Sequence, residues 1–176
     1  MLIEYTQEKL IGSILYFTQN TNHCVKLKLN LLLFLLDFKH YGQIGRKVTG
    51  LDYYAGPDGP IPSRNNKSID ADIISVTSSE STDKSNIKPS KKFDGGVFTK
   101  REKQIMNNLV DLYKDSDAND IIKSTYLNRL KWNKILKTLE KRQQQKVSFD
   151  LAQKEEEKEM ISKIILENNM YWQKYR

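Results

Sequence analysis

In a chain of 176 residues with two histidines and one cysteine, few side chains could do chemistry. His23 and His40 lie seventeen positions apart at opposite ends of one predicted helix. At ~1.5 Å of rise per residue they stand about 25 Å apart, too far to share a metal or a proton. Each therefore reads as a helix-end residue. Cys24 is no partner for His23, because adjacent helical residues do not face each other. A single cysteine also excludes an intramolecular disulfide framework and a cysteine zinc cluster. Asp37, Asp52 and Asp58 are the residue type for acid–base work, yet nothing in the sequence pairs them. Asp37 falls near a helix C-terminus, where the helix dipole disfavours a carboxylate. It is expected to make a structural hydrogen bond or an ion pair, with Lys28, Arg46 or Lys47 as candidate cations. No Gly-x-Ser-x-Gly elbow and no His-Glu-x-x-His pair occurs.

Two glycine patterns could bind phosphate. Gly45-Arg46-Lys47-Val48-Thr49 places basic residues after a glycine. A phosphate loop needs Gly-Lys-Ser/Thr consecutively, after a strand and before a helix, and neither condition holds. Gly42-Gln43-Ile44-Gly45 resembles the Gly-x-x-Gly loop of RNA-binding KH domains, but a helix should follow it and breakers follow instead. A non-catalytic protein with no metal and no cofactor is the expectation.

Charge points to partners. Lys and Arg number 29 against 22 Asp and Glu, a net of +7. Residues 99–176 carry +5 of that, and Arg129 to Lys146 holds seven basic residues against Glu140 alone. Such a patch suits an acidic protein surface or a nucleic-acid backbone, or is simply a solvated helix face. The hydrophobic share, 38%, falls below the ~45–50% usual for globular domains, so part of the chain should be polar linker or solvated helix. The start lacks a basic n-region, and the longest apolar run, Leu31 to Leu36, is far short of the ~20 residues that span a bilayer. A cytoplasmic protein without membrane contact is expected.

The elements that must position these groups follow from periodicity. Leu10, Ile11, Ile14 and Leu15 predict a helix over 4–20. Asn20-Thr21-Asn22 predicts a break and a cap, and the apolar run predicts a second, buried helix over 23–40. Residues 42–62 are dense in Gly and Pro, which forbids a long helix. Lys47-Val48-Thr49 and Tyr53-Tyr54-Ala55 are β-prone, so a hairpin turning at Gly50 is expected. Gly59-Pro60-Ile61-Pro62 should run extended over the core. A strand at Ile73, Ile74 and Val76 precedes a Ser/Thr-rich loop, and a second strand pair is expected about Asp94-Gly95-Gly96, between Phe93 and Phe98. Thr99 with Glu102 spells a capping box. Ile105, Met106, Leu109, Leu112 and Tyr113 predict the face buried by that helix. Asp117 should cap another helix carrying Ile121, Ile122, Thr125 and Tyr126. Trp132, Ile135, Leu136 and Leu139 form a further stripe, and Ser148 should open a last helix. The fold class is α+β, mainly helical: a central buried helix, surrounding helices and a small antiparallel sheet or hairpin.

Taken whole, Lys28 to Pro62 resembles the Panacea, or SocA-like antitoxin, domain. The residues that carry the resemblance are Lys28, Leu29, Leu32, Leu33 and Asp37 on the helix. Gly45, Arg46, Thr49 and Gly50 follow in the turn, and Tyr53 and Ala55 in the strand. Gly59, Pro60 and Pro62 come after, and Trp132 stands further on. Leu31 stands where the family often has lysine, and Asp58 where an aromatic often precedes Gly-Pro. The resemblance implies a SocA-like domain over 1–133 with a polar insert at about 75–92, and a basic, charged, helical C-terminal extension over 134–176.

It also implies a bacterial or phage-borne antitoxin that neutralises a cognate protein toxin, encoded next to it, by occlusion or conformational locking. Nucleic acid is a secondary partner, through autoregulation by the basic helix 129–146. A proteolytic adaptor delivering the toxin to a protease is the other alternative. A homo-oligomer is left open. Tyr54, Asp58, Arg64, Arg129, Lys134, Lys137 and Lys141 are the candidate partner contacts. Tyr53 and Trp132 read first as core, whereas Tyr54 should face the other side of its strand.

Overall fold

The computed structural model describes residues 2–56, 59–62, 86–89, 91–124, 146, 147 and 149, with the side chains of 2–4 excluded. These residues form four helices and one two-stranded sheet, an α+β and mainly helical architecture. Helix α1 spans Leu2–Asn20 and α2 spans Lys26–Ile44. Strand β1 (Tyr53–Gly56) pairs antiparallel with β2 (Gly59–Pro62). Helix α3 (Lys100–Tyr113) and the short α4 (Ala118–Ser124) follow.

Helix α2 is the axis of the core. Every residue from Leu31 to Phe38 is buried and all but Asp37 are apolar, as suits a helix enclosed by others. It packs on α1, α3, α4 and β2. Helix α1 delivers Leu10, Ile14 and Phe17 to it, with Ile11 partly buried at the edge. At Gly12 the ring of Phe98 approaches so closely that a Cβ would lie 2.7 Å from it. A side chain there would push α1 off the loop that precedes α3.

Several expectations change at element ends. Helix α2 begins at Lys26 behind Val25, which lacks a side-chain cap, so the Asn20–Asn22 stretch does not cap α2; Asn20 and Thr21 donate to the Tyr16 and Phe17 carbonyls at the end of α1. Asn22 instead ties this loop to the end of α3, its amide donating to the Lys114 carbonyl at 2.9 Å and its side chain to Asp115 at 2.6 Å. Helix α2 runs through Gly42 and stops at Gly45, which takes the left-handed conformation at φ 70°. Interior packing outweighs the ~1 kcal/mol propensity cost of one glycine. Val48 and Thr49 form no strand. The hairpin is made by β1 and β2, and Gly59-Pro60-Ile61-Pro62 is its second strand, buried except at Ile61. Proline lacks an amide donor, and an edge strand tolerates that.

No strand pair forms about Gly95. The Gly96 amide donates to Asp94 and the Phe98 amide to the Gly95 carbonyl, which makes a local turn. The capping box of α3 is present in both directions, with Thr99 and Glu102 each bonding the other's backbone. Its buried face is Ile105, Met106 and Leu109, whereas Leu112 is exposed and Tyr113 half-buried. Asp117 accepts from the Asp120 amide at the start of α4, as its position predicts. Ile73, Ile74, Val76, Thr125, Tyr126, Ile135, Leu136, Leu139 and Ser148 lie outside the described residues.

The chain comes back to the core near its end. The Val147 amide donates to the Tyr53 carbonyl at 2.8 Å, and Lys146 bridges Tyr54 antiparallel. Phe149 is buried among Phe34, Phe38, Tyr41 and Tyr53, with ring centroids 5.5 to 6.0 Å away. A residue well past the expected boundary at 133 is therefore a core residue.

Candidate functional site

Three polar assemblies are buried in this apolar frame. The first is centred on Asp37, which is fully buried on α2. Its Oδ1 accepts from the backbone amides of Val48 at 2.7 Å and Thr49 at 2.8 Å. Its Oδ2 accepts from the Thr49 hydroxyl and, at 3.0 Å, from the Tyr53 hydroxyl. The Thr49 hydroxyl in turn accepts from the Leu51 amide. One side chain thus holds the whole turn that leads from α2 into β1. Gly50 completes it at φ 69°, where a Cβ would also lie 2.5 Å from the Thr6 side chain. Only glycine meets both demands.

The expected structural hydrogen bonds of Asp37 exist, but the ion pair does not, and none of the three candidate cations stands beside it. Lys28 points away to the opposite end of α2. Lys47 bonds Asp52 at 2.6 Å and the Leu51 carbonyl at 2.8 Å. Arg46 lines the cleft described below. Without a cation beside it, burial pushes the Asp37 carboxyl up to about 6, against the pull of its four donors.

The second assembly is centred on Lys28, a fully buried lysine. Its ammonium donates to the carbonyls of Asn22 at 2.7 Å and Lys114 at 3.0 Å. It therefore joins the α1–α2 loop to the C-terminal end of α3, where it satisfies the Lys114 carbonyl. Burial lowers its affinity for the proton, and nearby Asp115 and Asp117 oppose that.

The third assembly was not legible as a site. Lys9 on α1 and Glu102 on α3 are both buried and form an ion pair at 2.5 Å. Glu102 Oε2 also accepts from the Thr99 amide at 2.8 Å. His40, near the end of α2, places Nε2 3.8 Å from Glu102. Its Nδ1 lies 2.7 Å from the Arg46 carbonyl, which can only accept, so Nδ1 carries the proton. Burial would raise the Glu102 carboxyl, but the Lys9 hydrogen bond and the Thr99 amide hold it below the ordinary range. Burial drives the His40 ring the other way, toward its neutral form. These groups floor a cleft of about 540 Å³, whose walls include Tyr5, Arg46 and Arg101.

The structure sorts the motif residues by role. Leu29, Leu32, Leu33, Tyr53 and Ala55 are core, and Lys28, Asp37 and Thr49 are buried polar ties. Gly45, Gly50 and Gly59 have positive φ. Pro60 and Pro62 are buried in β2, and Leu31 is fully buried in α2. Tyr54 is half-buried, opposite the fully buried Tyr53. Asp52 lies between Lys47 and Lys146, whose hydrogen bonds lower its proton affinity. Asp58, Arg64, Arg129, Trp132, Lys134, Lys137 and Lys141 lie outside the described residues. His23 sits in the α1–α2 loop at φ 51°, exposed and not within α2.

Among the described residues, no three His, Cys, Asp or Glu side chains gather as a metal ion would need. No described helix is long and apolar enough to cross a membrane. Lys9, Glu102 and His40 come from three elements far apart in sequence, so no local motif announces them. The capping box was the one signal, and it pointed to a helix start.

Comparison with curated proteins and with solved structures gives no match. The family model "Antitoxin SocA-like, Panacea domain" matches residues 29–133, which include the Asp37-held turn, the hairpin, α3 and α4. On that match, over more than half of its length, the chain belongs to the SocA-like antitoxin family.

Proposed function

We propose that this protein is the antitoxin of a toxin–antitoxin pair and neutralises a cognate protein toxin by direct binding. The observation that carries the reading is the family match over residues 29–133. In this reading no bond is made or broken: the toxin is occluded or locked in an inactive conformation. The Asp37-held turn suits that work, because a loop fixed by four hydrogen bonds loses little entropy on docking. The hairpin offers the half-buried Tyr54 on the side opposite Tyr53, and Tyr is a residue type that anchors interfaces; Asp58 is a further candidate contact. Arg64 and the basic run with Arg129, Lys134, Lys137 and Lys141 would steer an acidic toxin face. The pair would act in the bacterial cytoplasm or during phage infection.

The test is co-expression with the neighbouring open reading frame. Rescue of growth together with co-purification of the two proteins is the expected result. Rescue without a stable complex would replace occlusion with delivery to a protease. A salt-dependent shift of upstream DNA, lost when Lys134, Lys137 and Lys141 become Glu, would add operon control.

A further inference from the structure

We propose that the cleft between α1, the end of α2 and the start of α3 binds a small organic phosphate monoester, gripped by Arg46 and Arg101. The cleft, about 540 Å³, falls within the ~300–1,000 Å³ range of small-ligand sites. Its charges leave a specific surplus. Lys9 is matched by Glu102, and Lys47, a further lining residue, by Asp52. Arg46 and Arg101 are exposed, and among the described residues neither guanidinium has a hydrogen-bond or ion-pair partner. Two unmatched guanidinium forks in one cleft call for a dianion with several acceptor oxygens. A phosphate monoester carries a charge of about −2 above its second ionisation near pH 6. A carboxylate would balance only one of the two arginines.

The geometry around the arginines supports the assignment. His40 holds the Arg46 carbonyl from below, and the capping box fixes the first turn of α3 that carries Arg101. That box uses the Thr99 and Glu102 amides, and the positive charge lining the cleft comes from the side chains. The Tyr5 ring, 46% exposed on the same wall, gives an apolar surface for the organic part. The phosphate-loop reading of Gly45-Arg46-Lys47 failed on its spacing. The tertiary structure nevertheless places Arg46 in the lining of the same cleft as a second arginine 55 positions away. This binding is independent of toxin neutralisation.

Calorimetric titration of the full chain with phenyl phosphate at pH 7.5 tests it, with phenol and benzoate as comparison ligands. Saturable binding of phenyl phosphate is expected, at least ~10-fold tighter than benzoate, with phenol silent. Arg46→Gln and Arg101→Gln should each weaken it ~10-fold or more, while Lys92→Gln, which removes an exposed charge not lining the cleft, leaves it unchanged. Affinity should also fall below pH ~6, as the ligand becomes a monoanion. Unfolding midpoints of the variants confirm that they are folded. Absence of saturable binding at millimolar ligand overturns the proposal. So does equal loss in Lys92→Gln, or phenol or benzoate binding as tightly as the phosphate.

Discussion

Asp37 and Glu102 are both buried carboxylates, and the protein treats them in opposite ways. Asp37 is surrounded by neutral donors, two amides and two hydroxyls, and burial lifts it to about 6. Glu102 has a lysine at 2.5 Å and is held below its ordinary range. Hydrogen bonds from neutral groups satisfy the lone pairs of a buried acid. They offset part of the cost of its charge, and a neighbouring cation offsets more of it. Asp37 thus organises backbone, and Glu102 fastens one helix to another.

The strongest way to break the contrast is to remove Asp37. Asp37→Ala leaves two buried amides and two hydroxyls without their acceptor, and should cost ~4 kcal/mol in urea unfolding. Asp37→Asn keeps one acceptor oxygen and should cost about half of that.

The pH dependence separates the two acids by sign. Asp37 has a folded pKa of about 6 against an ordinary 3.8, so the folded state binds the extra proton between those values. Its contribution is fully present below pH ~4 and is lost as pH rises through 6, a fall of ~3 kcal/mol for a difference of about two pH units. Glu102, held low, contributes above its unfolded value of 4.5 and loses that as pH falls. His40, pushed below 6.5, also loses stability as pH falls, because the unfolded chain takes up the proton first. Urea midpoints measured between pH 4 and 8 should therefore fall more steeply with rising pH in His40→Gln than in the wild type. Asp37→Asn should abolish the fall.

Lys9 and Glu102 sharpen the comparison from the other side. Glu102→Gln leaves the Lys9 ammonium buried without its counter-charge and should cost ~2 kcal/mol or more. The double variant Lys9→Met, Glu102→Leu should recover much of that, because replacing both members of a buried pair removes the desolvation penalty. A double-mutant cycle reads the coupling directly. A smaller effect is expected at the turn itself. Gly50→Ala meets both the φ of 69° and the Thr6 methyl, and should cost about 1–2 kcal/mol in the same assay.

What the sequence disclosed follows from how local each signal is. The capping box at Thr99 and Glu102, the stripes of α1 and α3 and the buried run of α2 are patterns within one element, and each was legible. The hairpin was misplaced because Val48 and Thr49 carry strand propensity, while Asp37, eleven residues upstream, captures their amides for a turn. Leu112 matched its stripe, yet it is 62% exposed. The Lys9–Glu102–His40 cluster could not be read in advance. Its members meet only when α1, α2 and α3 pack, and ninety-three positions separate Lys9 from Glu102. Lys28 and Asp37 were visible as motif letters, but their partners are backbone groups, which have no letter.

The return of Phe149 has a consequence in time. Phe34, Phe38, Tyr41 and Tyr53 leave the ribosome early, and the ring that seals them is made 96 residues after Tyr53. At ~5–20 residues per second of synthesis, the aromatic slot stands open for roughly 5–20 s in every newborn molecule. During that interval the nascent chain offers a sticky seam that the finished protein has closed, so its vulnerability to aggregation or proteolysis is greatest before translation ends.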